Sequence, residues 1–182
     1  LGWSVNSPSG PTIELGPGQS SPITVDVVVP SSVMSSTMNT THLTVDSAAA
    51  PGLSATVTDK TIVGFVSGVT LTPANEVKQV STNQTYTYKR WLTNIGNYTD
   101  TFDLSLTSSQ GWSSLVDPTP LDLPTGGTAP VSIRVTVPGD GGGQSETCIL
   151  TVSSHGGAGP TTAQITLNVN YGVYLPLVQR ES

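Results

Sequence analysis

Apolar residues recur at every second position over most of the second half of the chain. Val131, Ile133, Val135 and Val137 alternate with Ser132, Arg134 and Thr136, which is the two-residue period of a half-buried strand. Phe102, Leu104 and Leu106 alternate with Asp103 and Ser105, and Ile165, Leu167 and Val169 repeat the pattern near the end. Ser and Thr fill the outward positions, where β-branched Thr suits the pleated backbone. Turn signals stand between the runs, at Ile95-Gly-Asn97, Thr125-Gly-Gly127 and the glycine-rich stretch from Pro138 to Gly143. The pattern predicts an all-β chain, with a complete set of about seven strands between roughly Val69 and Asn170.

The chain also repeats itself. Gly2-Trp3-Ser4 recurs as Gly111-Trp112-Ser113, and Ile13-Glu-Leu15 as Leu121-Asp-Leu123. The run from Pro22 to Pro30 matches that from Pro130 to Pro138, Leu43-Thr-Val45 matches Leu150-Thr-Val152, and Ala55-Thr-Val57 matches Ala163-Gln-Ile165. The offset stays between 107 and 109 residues, so the two stretches are copies of one module. Its length and strand spacing fit an immunoglobulin-like β-sandwich without the disulfide pair of antibody domains. The expected organisation is therefore tandem immunoglobulin-like β-sandwiches: a partial module over 1–66, a complete sandwich over 67–170, and an apolar tail over 171–182.

The first copy lacks its beginning. Nothing before Leu1 corresponds to Gly68–Gln110, read as the first three strands of the module. Residues 1–66 alone would leave Ile23, Val25, Val27, Leu43 and Val45 uncovered, at a cost on the order of 5–10 kcal/mol. Two remedies follow. The missing strands belong to a longer parent from which this chain is trimmed, as a first residue that is not Met would suit. Alternatively another chain donates them by β-augmentation. The tail residues Tyr171, Val173, Tyr174, Leu175, Leu177 and Val178 are apolar enough to be the donor, although Pro176 limits their hydrogen bonding.

One strand conflicts with the pattern. In the run from Tyr86 to Leu92, strict alternation puts Arg90 inside and Trp91 outside. A β-bulge at Lys89–Arg90 would reverse the facing and return Trp91 to the core, and it is the expectation here. In the other arrangement Lys89, Arg90 and Trp91 form a candidate binding surface for a sugar ring or a protein.

Composition narrows the classes. Only 10% of the 182 residues are charged, and the formal net charge is −6 with six Lys and Arg scattered singly. That leaves no basic patch for a phosphate backbone, so nucleic acid is not an expected partner. No apolar run approaches the ~20 residues that span a bilayer as a helix. The lone Cys148 excludes an intrachain disulfide, and its place on one strand face with Leu150 and Val152 predicts a buried, inert thiol.

Catalytic signals are sparse. The two histidines, His42 and His155, sit before a strand and in a Gly-rich loop, and no Gly-x-Ser-x-Gly turn accompanies them. Zinc-ligand spacing and a phosphate-cradling Gly-Lys-Ser/Thr are missing from the sequence. Calcium is the one metal with candidate oxygen ligands, Asp100 and Asp103, although no Asp-rich loop motif supports them and Asp103 reads as solvent-facing. Sequons at Asn39, Asn83 and Asn97 add little, since the Asn, Ser and Thr content would produce roughly two by chance.

The stretch Gly68–Ala74, then Thr85–Tyr88, Leu92–Asn97, Thr101–Leu104, Gly111-Trp112 and Val131–Pro138 resembles a bacterial Ig-like repeat. Such repeats follow the catalytic domain of secreted subtilisin-like proteases, accompany some glycosidases and occur in cell-surface proteins. The tail from Val173 to Arg180 is similar to the C-terminus of secreted bacterial proteins that carry them. The resemblance implies a non-catalytic spacer, stalk or assembly element, extracellular or at the cell surface. Its implied partners are neighbouring domains, copies of itself, polysaccharide or a cell-surface protein. Lys89-Arg90-Trp91 departs from the plain alternation usual in the family.

Overall fold

A computed structural model of the chain describes residues 2–171. It divides into two compact units, Leu1–Val66 and Ser67–Ser182. All regular structure among the described residues is β, as the period-two pattern requires. In the first unit β1 (Ser4–Asn6) pairs antiparallel with β2 (Asp26–Val28), and β3 (Met38–Asp46) pairs antiparallel with β4 (Ser54–Ile62). The second unit holds β5 (Val69–Thr72), β6 (Asn75–Val80), β7 (Gln84–Asn94), β8 (Asp100–Ser108) and β9 (Ser113–Leu115). It continues with β10 (Leu121–Leu123), β11 (Thr128–Val137), β12 (Ser145–Ser154) and β13 (Thr161–Val169).

The nine strands of the second unit form two sheets, ordered β5-β7-β11-β9 and β10-β8-β12-β13-β6. Neighbours are antiparallel except β13 and β6, which run parallel. Inward residues of both sheets make one core: Leu92, Val131 and Ile133 from one side meet Phe102, Leu150 and Ile165 from the other, all 0% exposed. Two face-to-face sheets around a single apolar layer are the immunoglobulin-like β-sandwich. The count exceeds seven because the short β9 and β10 each extend a sheet at its edge.

The first unit carries the matching ribbons without the matching core. β1–β2 corresponds to β9–β11, and β3–β4 to β12–β13. The uncounterparted stretch Gly68–Gln110 holds four strands, β5 to β8, rather than three. In the complete copy β7 flanks β11, β8 flanks β12 and β6 flanks β13, so β2, β3 and β4 each lack a neighbour. Val152 and Ile165 are 0% exposed, whereas their counterparts Val45 and Val57 are 49% and 52% exposed. Val33 is the one buried hydrophobic residue of this unit among the described residues. Ile13, Leu15, Ile23, Leu43, Val45 and Leu53 instead line an open cleft of about 1070 Å³.

Buried polar side chains lock the loops of the sandwich. Asn94, 0% exposed, donates through Nδ2 to the carbonyls of Tyr98 and Leu123, both at 2.9 Å, and accepts at Oδ1 from the Gly96 N–H at 2.8 Å. One side chain thus ties the turn after β7 to the end of β10. The Asp100 carboxylate accepts from the N–H groups of Thr101 and Gly156 and from the Ser154 hydroxyl, fastening the start of β8 to the β12–β13 turn. Gly156 leaves no room for a side chain, since a Cβ there would lie 1.3 Å from the Tyr98 hydroxyl.

Asn94→Ala takes the partner from the buried Gly96 N–H and from the buried Leu123 carbonyl, so we expect it to destabilise the second unit by about 2–3 kcal/mol. Urea unfolding followed by circular dichroism checks this, and an unshifted midpoint would contradict the role given to Asn94.

Candidate functional site

β7 carries the residues singled out for binding. It pairs with β11 without interruption from Gln84↔Val137 to Thr93↔Thr128, and with β5 over Val69↔Asn94 to Thr72↔Trp91. There is no bulge at Lys89–Arg90. Alternation persists: Tyr86, Tyr88, Arg90 and Leu92 face inward, while Lys89 and Trp91 face out. The expected return of Trp91 to the core is therefore corrected, and Trp91 is 48% exposed. Arg90 leaves the candidate surface altogether, being 1% exposed.

The physical reason lies with the length of the arginine side chain. Its methylene stem occupies apolar space, and the guanidinium reaches across the sandwich to β6 at the edge of the opposite sheet. There Nη1 donates to Glu76 Oε2 at 3.1 Å and to the Lys89 carbonyl at 3.0 Å. Arg90 Nε and Nη2 are buried without a hydrogen-bond partner among the described residues. Glu76 also meets Lys78 Nζ at 2.6 Å. The Lys78 hydrogen bond first, opposed by burial and assisted by Arg90, holds the Glu76 carboxyl below its ordinary range. A regular ladder over eleven residues outweighs one awkward inward side chain, provided that the charge finds a partner.

A second polar cluster has no counterpart among the sequence expectations. Glu146 lies on the inward face of β12 with Cys148, Leu150 and Val152, and is 0% exposed. Its carboxylate accepts from the hydroxyls of Ser108, Ser109 (3.1 Å) and Ser113 (2.7 Å), and from the Gln110 N–H (2.7 Å). Burial pushes the Glu146 carboxyl up, but the hydrogen bonds from Ser108, Ser113, Gln110 and Cys148 outweigh it and hold the group below its ordinary range. The arrangement clamps the β8–β9 connection and leaves no lone pair aimed at solvent, so it is structural. The one sequence signal for it is the odd carboxylate at an inward position two residues before Cys148. Cys148 is buried as the pattern predicts, and burial pushes its thiol up to about 11.

The remaining candidates do not assemble. Asp100 points inward and Asp103 outward on β8, so the strand does not bring these two carboxylates together. Asp103 instead accepts from His155 Nε2 at 2.8 Å in an exposed pair. His42 Nδ1 lies 2.9 Å from the Thr58 hydroxyl, in the first unit. Among the described residues no group of three or more His, Cys, Asp or Glu could hold a metal ion. No helix there is long and apolar enough to cross a membrane. Of the tail candidates only Tyr171, 77% exposed, lies within the described residues; Val173, Tyr174, Leu175, Leu177 and Val178 lie outside them.

No known sequence family matches the chain, and no curated protein matches it. Solved structures similar to it include a family 123 glycoside hydrolase from Clostridium perfringens, at 9% identity and TM-score 0.48, over 59% of this chain. The chain spans 27% of that hydrolase's length. Another is the PapD-like domain 7 of human CEP192, at 15% identity and TM-score 0.43, covering 59% of this chain and 87% of that domain. A third is WR4, an MSP family member of C. elegans, at 9% identity and TM-score 0.38, covering 56% and 96%. The fold class itself, an all-β immunoglobulin-like sandwich, is carried by the sheet order and common core of the second unit.

Glu146→Gln is expected to lower stability at neutral pH by about 1–3 kcal/mol, because an amide nitrogen then confronts buried donors. The carboxyl is held below its ordinary value in the folded state. Its stabilisation is thus complete above the unfolded carboxylate pKa and disappears as pH falls through the lower folded value. The acid limb of the wild-type stability profile should flatten in the variant; parallel limbs would contradict the assignment.

Proposed function

We propose that this chain is a non-catalytic structural module of a secreted or cell-surface bacterial protein. Its tandem Ig-like units serve as spacer, stalk or assembly element, and the first unit is completed by strands from outside Leu1–Val66. The carrying observation is the half-built first unit. It has the inward-facing pattern of a sandwich, yet Ile23, Val29, Val45 and Val57 lie exposed and Val25, Val27 and Leu43 are only half-buried. Uncovered apolar faces and unpaired strand edges invite strand addition. In this reading four strands of the kind seen in β5–β8 fill the cleft, either from the preceding part of a longer chain or from another copy. A place beside a subtilisin-like protease or glycosidase domain belongs to the same proposal. Any chemistry would then reside in the neighbouring domain.

The test is native-state hydrogen exchange combined with light scattering on the whole chain. At the 18.7 kDa monomer mass, we expect amides of β2, β3 and β4 to exchange far faster than those of β7, β11 and β12. If the chain instead assembles, protection of the first unit should rise with mass, identifying the donor as another copy. A monomer whose first unit is as protected as its second would sink the proposal.

Among the described residues the exposed His155–Asp103 pair has no oriented nucleophile in its hydrogen bonds. Purified chain should therefore hydrolyse neither peptide nor glycoside substrates. Turnover that His155→Ala abolishes would reverse that conclusion.

A further inference from the structure

Charge is divided between the two sheets of the sandwich. No Asp or Glu lies on β5, β7, β9 or β11, whereas the opposite sheet carries Glu76, Asp100, Asp103, Asp122 and Glu146. The outer face of the four-stranded sheet presents Lys89 and Arg134, both exposed and neither ion-paired within the described residues. This is notable in a chain of formal net charge −6 with six Lys and Arg in all. Asp117, just beyond β9, is turned to the backbone N–H of Ser132 at the sheet's edge.

The same face carries the exposed Trp91. It stands opposite Thr72 on β5 and Pro130 on β11, both exposed. Strand geometry places Lys89 about 7 Å along β7 from Trp91, and Arg134, opposite Thr87 on β11, about 13 Å along the same direction. The surroundings are hydroxyls: Thr93 bonds Thr128 at 3.0 Å and Thr85 bonds Thr136 at 3.2 Å across the β7–β11 ladder. The basic character is not demanded by the module. The first copy has Asp26 where the second has Arg134.

From the exposed indole, the aligned cations and the hydroxyl-lined face whose four strands carry no acidic residue, we infer that the outer face of β5-β7-β11-β9 binds an anionic polysaccharide. A sugar ring stacks on Trp91, whose flat apolar face suits the C–H surface of a pyranose. Acid groups of the following sugars meet Lys89 and Arg134, the guanidinium taking a carboxylate by its paired N–H groups. Charge complementarity selects the acidic glycan over a neutral one, and the indole selects a sugar over a bare polyanion.

Affinity electrophoresis of the whole chain tests this, with polygalacturonate in the gel and hydroxyethylcellulose and polyglutamate as comparisons. Polygalacturonate should retard the protein most, and added salt should weaken the retardation. Trp91→Ala should raise the apparent Kd at least about tenfold, as loss of a central aromatic contact does. The double variant Lys89→Gln/Arg134→Gln should abolish the preference for polygalacturonate over hydroxyethylcellulose. All three side chains are exposed, so unchanged circular dichroism and thermal midpoints should accompany these losses. Equal retardation by hydroxyethylcellulose, retardation by polyglutamate that Trp91→Ala leaves intact, or no retardation by polygalacturonate would each overturn the inference.

Discussion

Covering one apolar sheet face with another is the constraint on which this chain depends. A strand with period-two alternation has one face that water disfavours, at roughly 25 cal/mol for each Å² left exposed. In the second unit β7 and β11 supply one side, β8, β12 and β13 the other, and the inward residues of both disappear from solvent. In the first unit the counterparts of β11, β12 and β13 are present and those of β7 and β8 are not. The same alternation that makes a core in one copy makes an open cleft in the other. Val45 and Val57 differ from Val152 and Ile165 chiefly in what faces them.

That contrast also explains which features are legible in the amino-acid pattern and which are not. Alternation over Val131–Val137 specifies strand identity and facing, because it reflects burial directly. Strand number is less legible, since β9 and β10 are three residues each and too short to show a period. The side chains that escape a pattern argument are the ones that break the binary rule. Arg90, Glu146, Asn94 and Asp100 are polar and buried, and alternation alone treats a polar inward position as an error to be explained away. A bulge is the economical repair for Arg90. The structure resolves the conflict by chemistry instead, reaching Glu76 on the far sheet rather than shifting the backbone.

Those exceptions share a logic. Asn94 joins the β7 turn to β10, Asp100 joins β8 to the β12–β13 turn, and Glu146 joins the β8–β9 connection to β12. Each satisfies donors or acceptors of irregular backbone that the ladders cannot serve, which is where a sandwich needs buried polarity. The partners come from distant parts of the sequence, 29, 36 and 56 positions away in these three contacts, so no local motif announces them. The stretch Leu92–Asn97 looks like a turn signature; its Asn94 is the residue that makes the turn hold.

The inward Arg90 bears on the surface as well. A bulge at Lys89–Arg90 would have buried Trp91 and placed Arg90 outside, giving a face with cations and no ring. Regular pairing does the opposite. It sends the guanidinium inward to a carboxylate on β6 and leaves the indole beside Lys89 on a sheet without acidic residues. The salt bridge between the sheets and the composition of the outer face are therefore one fact about register. Because facing alternates strictly along β7, the exposure of Trp91 is tied to the burial of Arg90, and Glu76 is the partner that makes that burial tolerable.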